Sequence, residues 1–98
     1  MNTIEVTLEN NHLIFTGVLT FDTSVKAIDD AKKKMPKKQH VILDLSGVSR
    51  SDSSGLAVLT GLMSYAKKNH AHIKIKGIPK KMMDLARVSG VDGMLSLV

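Results

Sequence analysis

A chain of 98 residues with 43% apolar side chains has material for one hydrophobic core and too little for two, so one domain over residues 1–98 is expected. The absence of cysteine excludes disulfides and thiolate metal sites, and no apolar run approaches the roughly 20 residues that cross a bilayer. The net charge of +5 rests on lysine runs, and with only Phe15, Phe21 and Tyr65 as aromatics there is no platform for base stacking, so a nucleic-acid partner is not expected.

Met1 to Glu5 form neither a basic nor an apolar leader region, which makes a reducing cytoplasm the expected setting. Ile4, Val6 and Leu8 then alternate with Glu5 and Thr7, Asn10 and Asn11 supply a turn, and Leu13 to Phe15 resume an apolar strand, together an opening hairpin. From Thr23 the period lengthens. Val25, Ile28, Ala31 and Met35 fall at helical spacing with Asp29, Asp30 and the lysines outside, which predicts a helix from about Thr23 to Lys34, closed by Pro36.

Val41, Ile42 and Leu43 are consecutive rather than alternating, so His40 to Leu45 reads as a central strand buried on both faces. Asp44 follows the run, then a polar loop closes on Asp52, Ser53, Ser54 and Gly55. In the next helix, Leu56, Leu59, Met63 and Ala66 mark one stripe and Val58, Leu62 and Tyr65 a second, either all core or partly a docking face. Ile73 and Ile75 alternate with Lys74 and Lys76 as a strand near an edge. Pro79 opens a third helix to about Ser89, with Met82, Leu85, Ala86 and Val88 inward and Gly90 as its C-terminal cap, and Met94 to Val98 add a last short strand. This order implies parallel pairing through right-handed crossovers, with helices packed on the sheet.

Val41 to Leu59 is the stretch that bears on function. A strand there delivers two hydroxyls to a helix N-terminus, where backbone N–H groups lack partners and the macrodipole is positive. Ser53 or Ser54 either accepts a phosphoryl group or caps the helix while the loop contacts a partner. Asp52 favours the dipole or orients the loop, Gly55 answers to a tight loop, and Asp44 either ties down loop N–H groups or meets a partner. Arg50, in the same loop, suits a carboxylate or carbonyls on a partner. His70 and His72 lie two apart with nothing nearby to complete a metal site, so no metal or other cofactor is expected. No nucleophile elbow, phosphate-binding glycine loop or paired carboxylates occur, which points to an adaptor rather than an enzyme. The lysine patches are solvated helix ends that remain open to an acidic protein or anionic headgroups.

Asp44, Leu45, Ser46, Val48, Asp52, Ser53, Ser54, Gly55 and Leu56, followed by a lysine-ended helix, a short strand and a helix closing in Ser89, Gly90 and Val91, resemble the STAS domain family. The resemblance covers nearly the whole chain. It implies an α/β fold with a mixed, mostly parallel sheet of about four to five strands flanked by three helices, acting by docking on other proteins. Val48, Ser49 and Arg50 before the Asp, Gly55, Leu56 and Ala57 after it, Ala66 to Lys68, and Leu85 to Arg87 are similar to the small STAS subunits of Mla-type phospholipid-transport ABC complexes. That branch implies the ABC transporter's ATPase subunit, in complex with its permease, as partner, a place on the cytoplasmic side of the inner membrane held through that partner, and Ser53 as the matching functional position. The branch of anti-sigma factor antagonists implies instead a kinase that phosphorylates Ser54, a position this chain retains.

Overall fold

The computed structural model describes residues 2–98. The chain opens with β1 (Ile4–Glu9) and β2 (His12–Leu19), an antiparallel hairpin whose two turn residues, Asn10 and Asn11, have φ of 47° and 62°. Two consecutive positive φ angles match the right-handed twist of the strands, and asparagine tolerates them better than most residues. A helix α1 (Ser24–Lys34) leads to β3 (His40–Ser51), which pairs parallel with β2. Helix α2 (Ser53–Lys68) leads in turn to β4 (His72–Lys76), parallel to β3. Helix α3 (Lys80–Val88) and a short 3-10 helix (Asp92–Met94) complete the chain. The sheet order is β1-β2-β3-β4, so β3 is an inner strand and β4 an edge.

One face of this sheet carries the core. Ile4 and Val6, Leu13, Phe15 and Leu19, Val41, Leu43 and Leu45, and Ile75 are buried from the four strands, against Ala27 and Ala31 of α1 and Leu56, Val58, Leu59, Leu62 and Ala66 of α2. Met82 and Ala86 of α3 close one end. Both apolar stripes of α2 are used inward, and the flank of the second meets α1, where the Tyr65 hydroxyl donates to the Lys32 carbonyl (3.3 Å) and the Lys32 ammonium lies 5.4 Å from the Tyr65 ring centre.

Several expectations change. The other sheet face is open: Ile42 and Asp44 are only half-buried and Lys74 and Lys76 exposed, so His40 to Leu45 is not buried on both faces. Ser46 to Arg50 are strand rather than loop. They continue the ladder with Thr16 to Val18 of β2, which takes only backbone groups, while polar side chains suit the exposed face. Two register shifts interrupt that ladder, and at the second Gly17, φ 116°, sits where a Cβ would lie 2.4 Å from the Thr3 carbonyl oxygen. Asp44 accepts the Ser46 N–H (3.0 Å) and the Ser46 hydroxyl on this face. The Ser46 hydroxyl bond, against an opposing burial penalty and with the Ser46 N–H and Lys76 assisting, holds the Asp44 carboxyl below its ordinary range.

Val25 and Val88 are not core residues. They are 70% and 87% exposed, and in α1 the inward position falls to Ala27 instead. The tail makes a single parallel bridge, Leu97 to Ile75, rather than a strand. Helix α3 ends as expected over Gly90, with the Val91 N–H on the Ala86 carbonyl at 2.9 Å.

The contrast within α3 is directly measurable. Met82→Ala should cost about 2–5 kcal/mol by denaturant unfolding, as a cavity in a core with no exposure to relieve it. Val88→Ala should stay within about 0.5 kcal/mol of the parent. Equal losses at the two positions would contradict this packing.

Candidate functional site

Strand β3 ends on the buried Ser51, and Asp52, extended at φ −135°, turns the chain into α2. Asp52, not a serine, is the N-cap. Its Oδ1 accepts the Ser54 N–H at 2.8 Å and its carbonyl accepts the Gly55 N–H at 3.0 Å. Its other oxygen, Oδ2, accepts the N–H of Phe21 at 3.2 Å, thirty-one residues earlier. Burial pushes the Asp52 carboxyl up, but the N–H groups of Phe21 and Ser54 outweigh it and leave the group below its usual range.

Phe21 lies in the turn between β2 and α1. Thr23 builds that turn: its hydroxyl donates to the Val18 carbonyl (2.7 Å) and accepts the Thr20 N–H (3.0 Å), while the Thr23 N–H donates to the Thr20 carbonyl (3.1 Å). The turn is thus pinned at its base by Thr23 and at its tip by Asp52. The ring it displays is 78% exposed. Val25, 70% exposed, lines the same depression as this ring, and exposed apolar side chains grouped in this way, unlike single ones, mark interaction surfaces.

Phe21 lines two shallow depressions. One, of about 300 Å³, runs between the first turns of α1 and α2 and is lined by Phe21, Ser24, Val25, Ile28, Ser54, Ala57 and Val58, an apolar set apart from two hydroxyls. The other, of about 280 Å³, is polar, with Asp22, Arg50, Asp52 and Lys81 among its walls. Arg50 is exposed at the end of β3, and its Nη2 donates to Asn2 Oδ1 (2.8 Å), whose Nδ2 donates to Asp22 Oδ2 (3.0 Å).

Of the residues singled out in the sequence, Asp52, Ser54 and Gly55 come together at the start of α2, and Ser54, half-buried, forms part of the apolar groove. Ser53 is exposed as the first residue of the helix. Gly55 is buried where a Cβ would meet Met82 Cε at 2.8 Å and the Leu19 carbonyl oxygen at 3.1 Å, so its missing side chain lets α2 lie against β2 and α3. The sequence reading gives Phe21, Val25 and Lys81 no place at this site, although all three line its depressions. The available signal was an aromatic between Thr20 and Asp22, in a turn with no apolar periodicity to draw it inward. Among the described residues no group of three or more His, Asp and Glu is placed to hold a metal ion, and no helix is long and apolar enough to cross a membrane.

Against known proteins, residues 3–98 match the family described as "Mlab, STAS domain". The intermembrane phospholipid transport system binding proteins MlaB of Escherichia coli (strain K12) and Shigella flexneri are each 41% identical over 46 residues, 47% of this chain and 47% of theirs. The chain thus spans about half the length of the curated relatives it matches. An anti-sigma-factor antagonist (STAS) domain protein from Planctomyces limnophilus superposes with a TM-score of 0.73 at 16% identity, over 96% of this chain and 87% of that one. The anti-sigma factor antagonist SpoIIAA in its unphosphorylated form gives 0.70 at 10% identity, over 98% and 88%. At such identities these likenesses concern the fold. A match over all but the first two residues, on a mixed four-stranded sheet with three helices, makes the chain a member of the Mlab-type STAS domain family.

Proposed function

We propose that this chain, as one STAS domain over residues 1–98, is a non-catalytic adaptor subunit that binds and supports the cytoplasmic ATPase of an Mla-type phospholipid-transport ABC complex maintaining outer-membrane lipid asymmetry. It reaches the inner membrane through that partner and its permease. The observation that carries the reading is Phe21: an exposed aromatic on a doubly pinned turn, beside an apolar groove that ends on Ser54. Large rigid side chains of this kind, surrounded by small neighbours, dominate the energetics of protein interfaces. The family match over residues 3–98 and the partial likeness to MlaB support this choice of partner.

In this reading Phe21 and Val25 enter an apolar recess on the ATPase, the groove between α1 and α2 receives an apolar side chain in return, and Arg50 at the rim meets a carboxylate or carbonyls. Ser53 and Ser54 fit because they are small and hydrogen-bonding at a helix start.

One observation favours the second reading, an anti-sigma factor antagonist governed by a kinase. Ser54 stands in the groove itself, so a phosphoryl group there would place about −1.5 to −2 charges among apolar atoms and beside the Asp52 carboxylate. Docking would be switched off by charge alone.

Tagging the protein at its native level, solubilising membranes gently and identifying what co-purifies separates the two. An ABC ATPase with its permease, and unmodified serines, is the expected result. A soluble kinase with phosphate on Ser54 would replace the transporter reading by the antagonist one.

With purified partner, Phe21→Ala should weaken binding at least tenfold, about 1.4 kcal/mol, with unchanged circular dichroism. Ser53→Arg and Ser54→Glu should abolish assembly, whereas Ser53→Ala should be mild. Normal assembly with all of these substitutions would remove the docking surface from this end of the fold.

Asp52→Ala should cost about 1 kcal/mol of stability as a lost N-cap and should also reduce partner affinity, because Phe21 loses its tether. Asn also caps well, so Asp52→Asn should retain most of the stability at neutral pH. The folded pKa of Asp52 is lowered, so its contribution is complete above the unfolded value of about 3.9 and is lost as pH falls through the folded pKa. Below about pH 4 the parent should therefore lose stability that Asp52→Asn does not, a difference readable as converging unfolding midpoints. Parallel midpoint curves at all pH values would show that this carboxylate is not held as described.

A further inference from the structure

At the opposite end of the parallel strands an unfinished ladder meets a cluster of cations. The outer edge of β4 is only partly used: the Ile75 N–H donates to the Ser96 carbonyl (2.7 Å), and the Ile75 carbonyl accepts the Val98 N–H (2.8 Å). A parallel ladder carried one step further would join the Ser96 N–H to the Ile73 carbonyl and the Ile73 N–H to the Met94 carbonyl. Among the described residues neither bond forms, because the chain there bends into the 3-10 helix and Leu95. Alternation along the strand directs both backbone groups of Ile73 outward, on the same edge as those of Ile75.

A groove of about 600 Å³ adjoins this open step, with Met63, Ala66 and Lys67 of α2 and Ile73 and Lys74 of β4 among its walls, and Ser96 of the tail at its border. Its lining includes three histidines and no carboxylate. His40 and His72 stack at its margin with ring centres 5.1 Å apart, and the Lys38 N–H bond to the Asn69 carbonyl (3.2 Å) holds a further lysine at the same end.

We propose that this edge takes an extended acidic segment of a partner polypeptide as an added strand. Its backbone completes the ladder at Ile73, alternate apolar side chains enter between Met63 and Ile73 on the helix face, and its carboxylates lie on the open face by Lys74, with Lys67 adding positive charge at the groove. A second copy of this chain is the poorer occupant, because edge-to-edge pairing would bring Lys74 and Lys67 against their own counterparts, and lysines on an edge strand act against such pairing. The surface is separate from the one at Phe21 and Ser54, and the proposal stands whichever partner binds there.

The test is a titration of the 15N-labelled full chain with an acetylated, amidated heptapeptide of alternating glutamate and valine. Amide shifts concentrated at Lys67, Ile73, Lys74 and Ser96 are expected. Affinity should fall at least tenfold for the Lys67→Glu, Lys74→Glu double variant, and at least tenfold for peptides N-methylated at alternate residues in either register, which cannot form the ladder. The methylated peptides leave the protein untouched, so this arm holds even if the double variant unfolds. No shift at millimolar peptide, shifts at Phe21 and Ser54 instead, or equal binding of the methylated peptides or of an alternating lysine and valine peptide would overturn the proposal. Shifts of the same amides on dilution without peptide would assign the edge to self-association. Shifts caused by phosphatidylglycerol vesicles but not by the peptide would assign it to an anionic lipid surface, again overturning the proposal.

Discussion

The Asp52 carboxylate is the constraint on which the geometry of the candidate site depends. A helix N-terminus has N–H groups without partners, and so does the tip of a tight turn; one carboxylate with two oxygens serves both. Because the bonds run in different directions, the spacing between the first turn of α2 and the β2–α1 turn is fixed by the width of a carboxylate. Gly55 makes the arrangement possible from below, since any Cβ there would press into Met82 and the Leu19 carbonyl. The exposed ring of Phe21 and the groove beside it are consequences of these two contacts, one polar and one steric.

A second constraint is that the helices lie on one side of the sheet only. A one-sided sheet needs alternate residues apolar, and β3 obeys with Val41, Leu43 and Leu45. Ile42 breaks the alternation. It is half-buried on the open face, with His12 and Lys74 as its register neighbours on the two adjoining strands, and long side chains with apolar stems make such a position tolerable. The same openness lets β3 run on through Ser46 to Ser51, because a strand paired by its backbone needs no apolar side chains on its wet face.

This accounts for what the sequence made legible and what it did not. The hairpin, α1, α2, α3 and β4 followed from periodicity and from Asn10, Asn11, Pro36, Pro79 and Gly90, all local signals. The length of β3 did not, because its extension depends on a partner strand thirty residues away. The three consecutive apolar residues at Val41 to Leu43 suggested two covered faces, and only the position of the helices shows that one is bare. At the candidate site, the Asp–Ser–Ser–Gly run marked the junction of β3 and α2, yet the reading gave the serines the capping role that Asp52 takes. Val25 obeyed the helical period and still faces solvent, since Ala27, two residues on, fits the close approach of α1 to the sheet better. Phe21 had no period at all. Residues of this kind are visible only when long-range contacts place them.

The two ends of the molecule differ in charge for a topological reason. Each of α1 and α2 follows one parallel strand and returns the chain to the start of the next, so both helices point their N-termini at the end where β3 finishes and their C-termini at the end where β3 and β4 begin. Helix C-termini favour cations, and Lys32 to Lys34 and Lys67 to Lys68 occupy those last turns. Asp22 and Asp52 stand at the opposite end, before the two N-termini. Helix α3 departs from the rule with Lys80 in its first turn, a charge answered by Asp84 at 3.0 Å. Two surfaces result from one arrangement of dipoles: an apolar groove edged by serine hydroxyls and carboxylates where the strands end, and a cationic groove with an open strand edge where they begin. Because they lie at opposite ends, a partner on one leaves the other accessible.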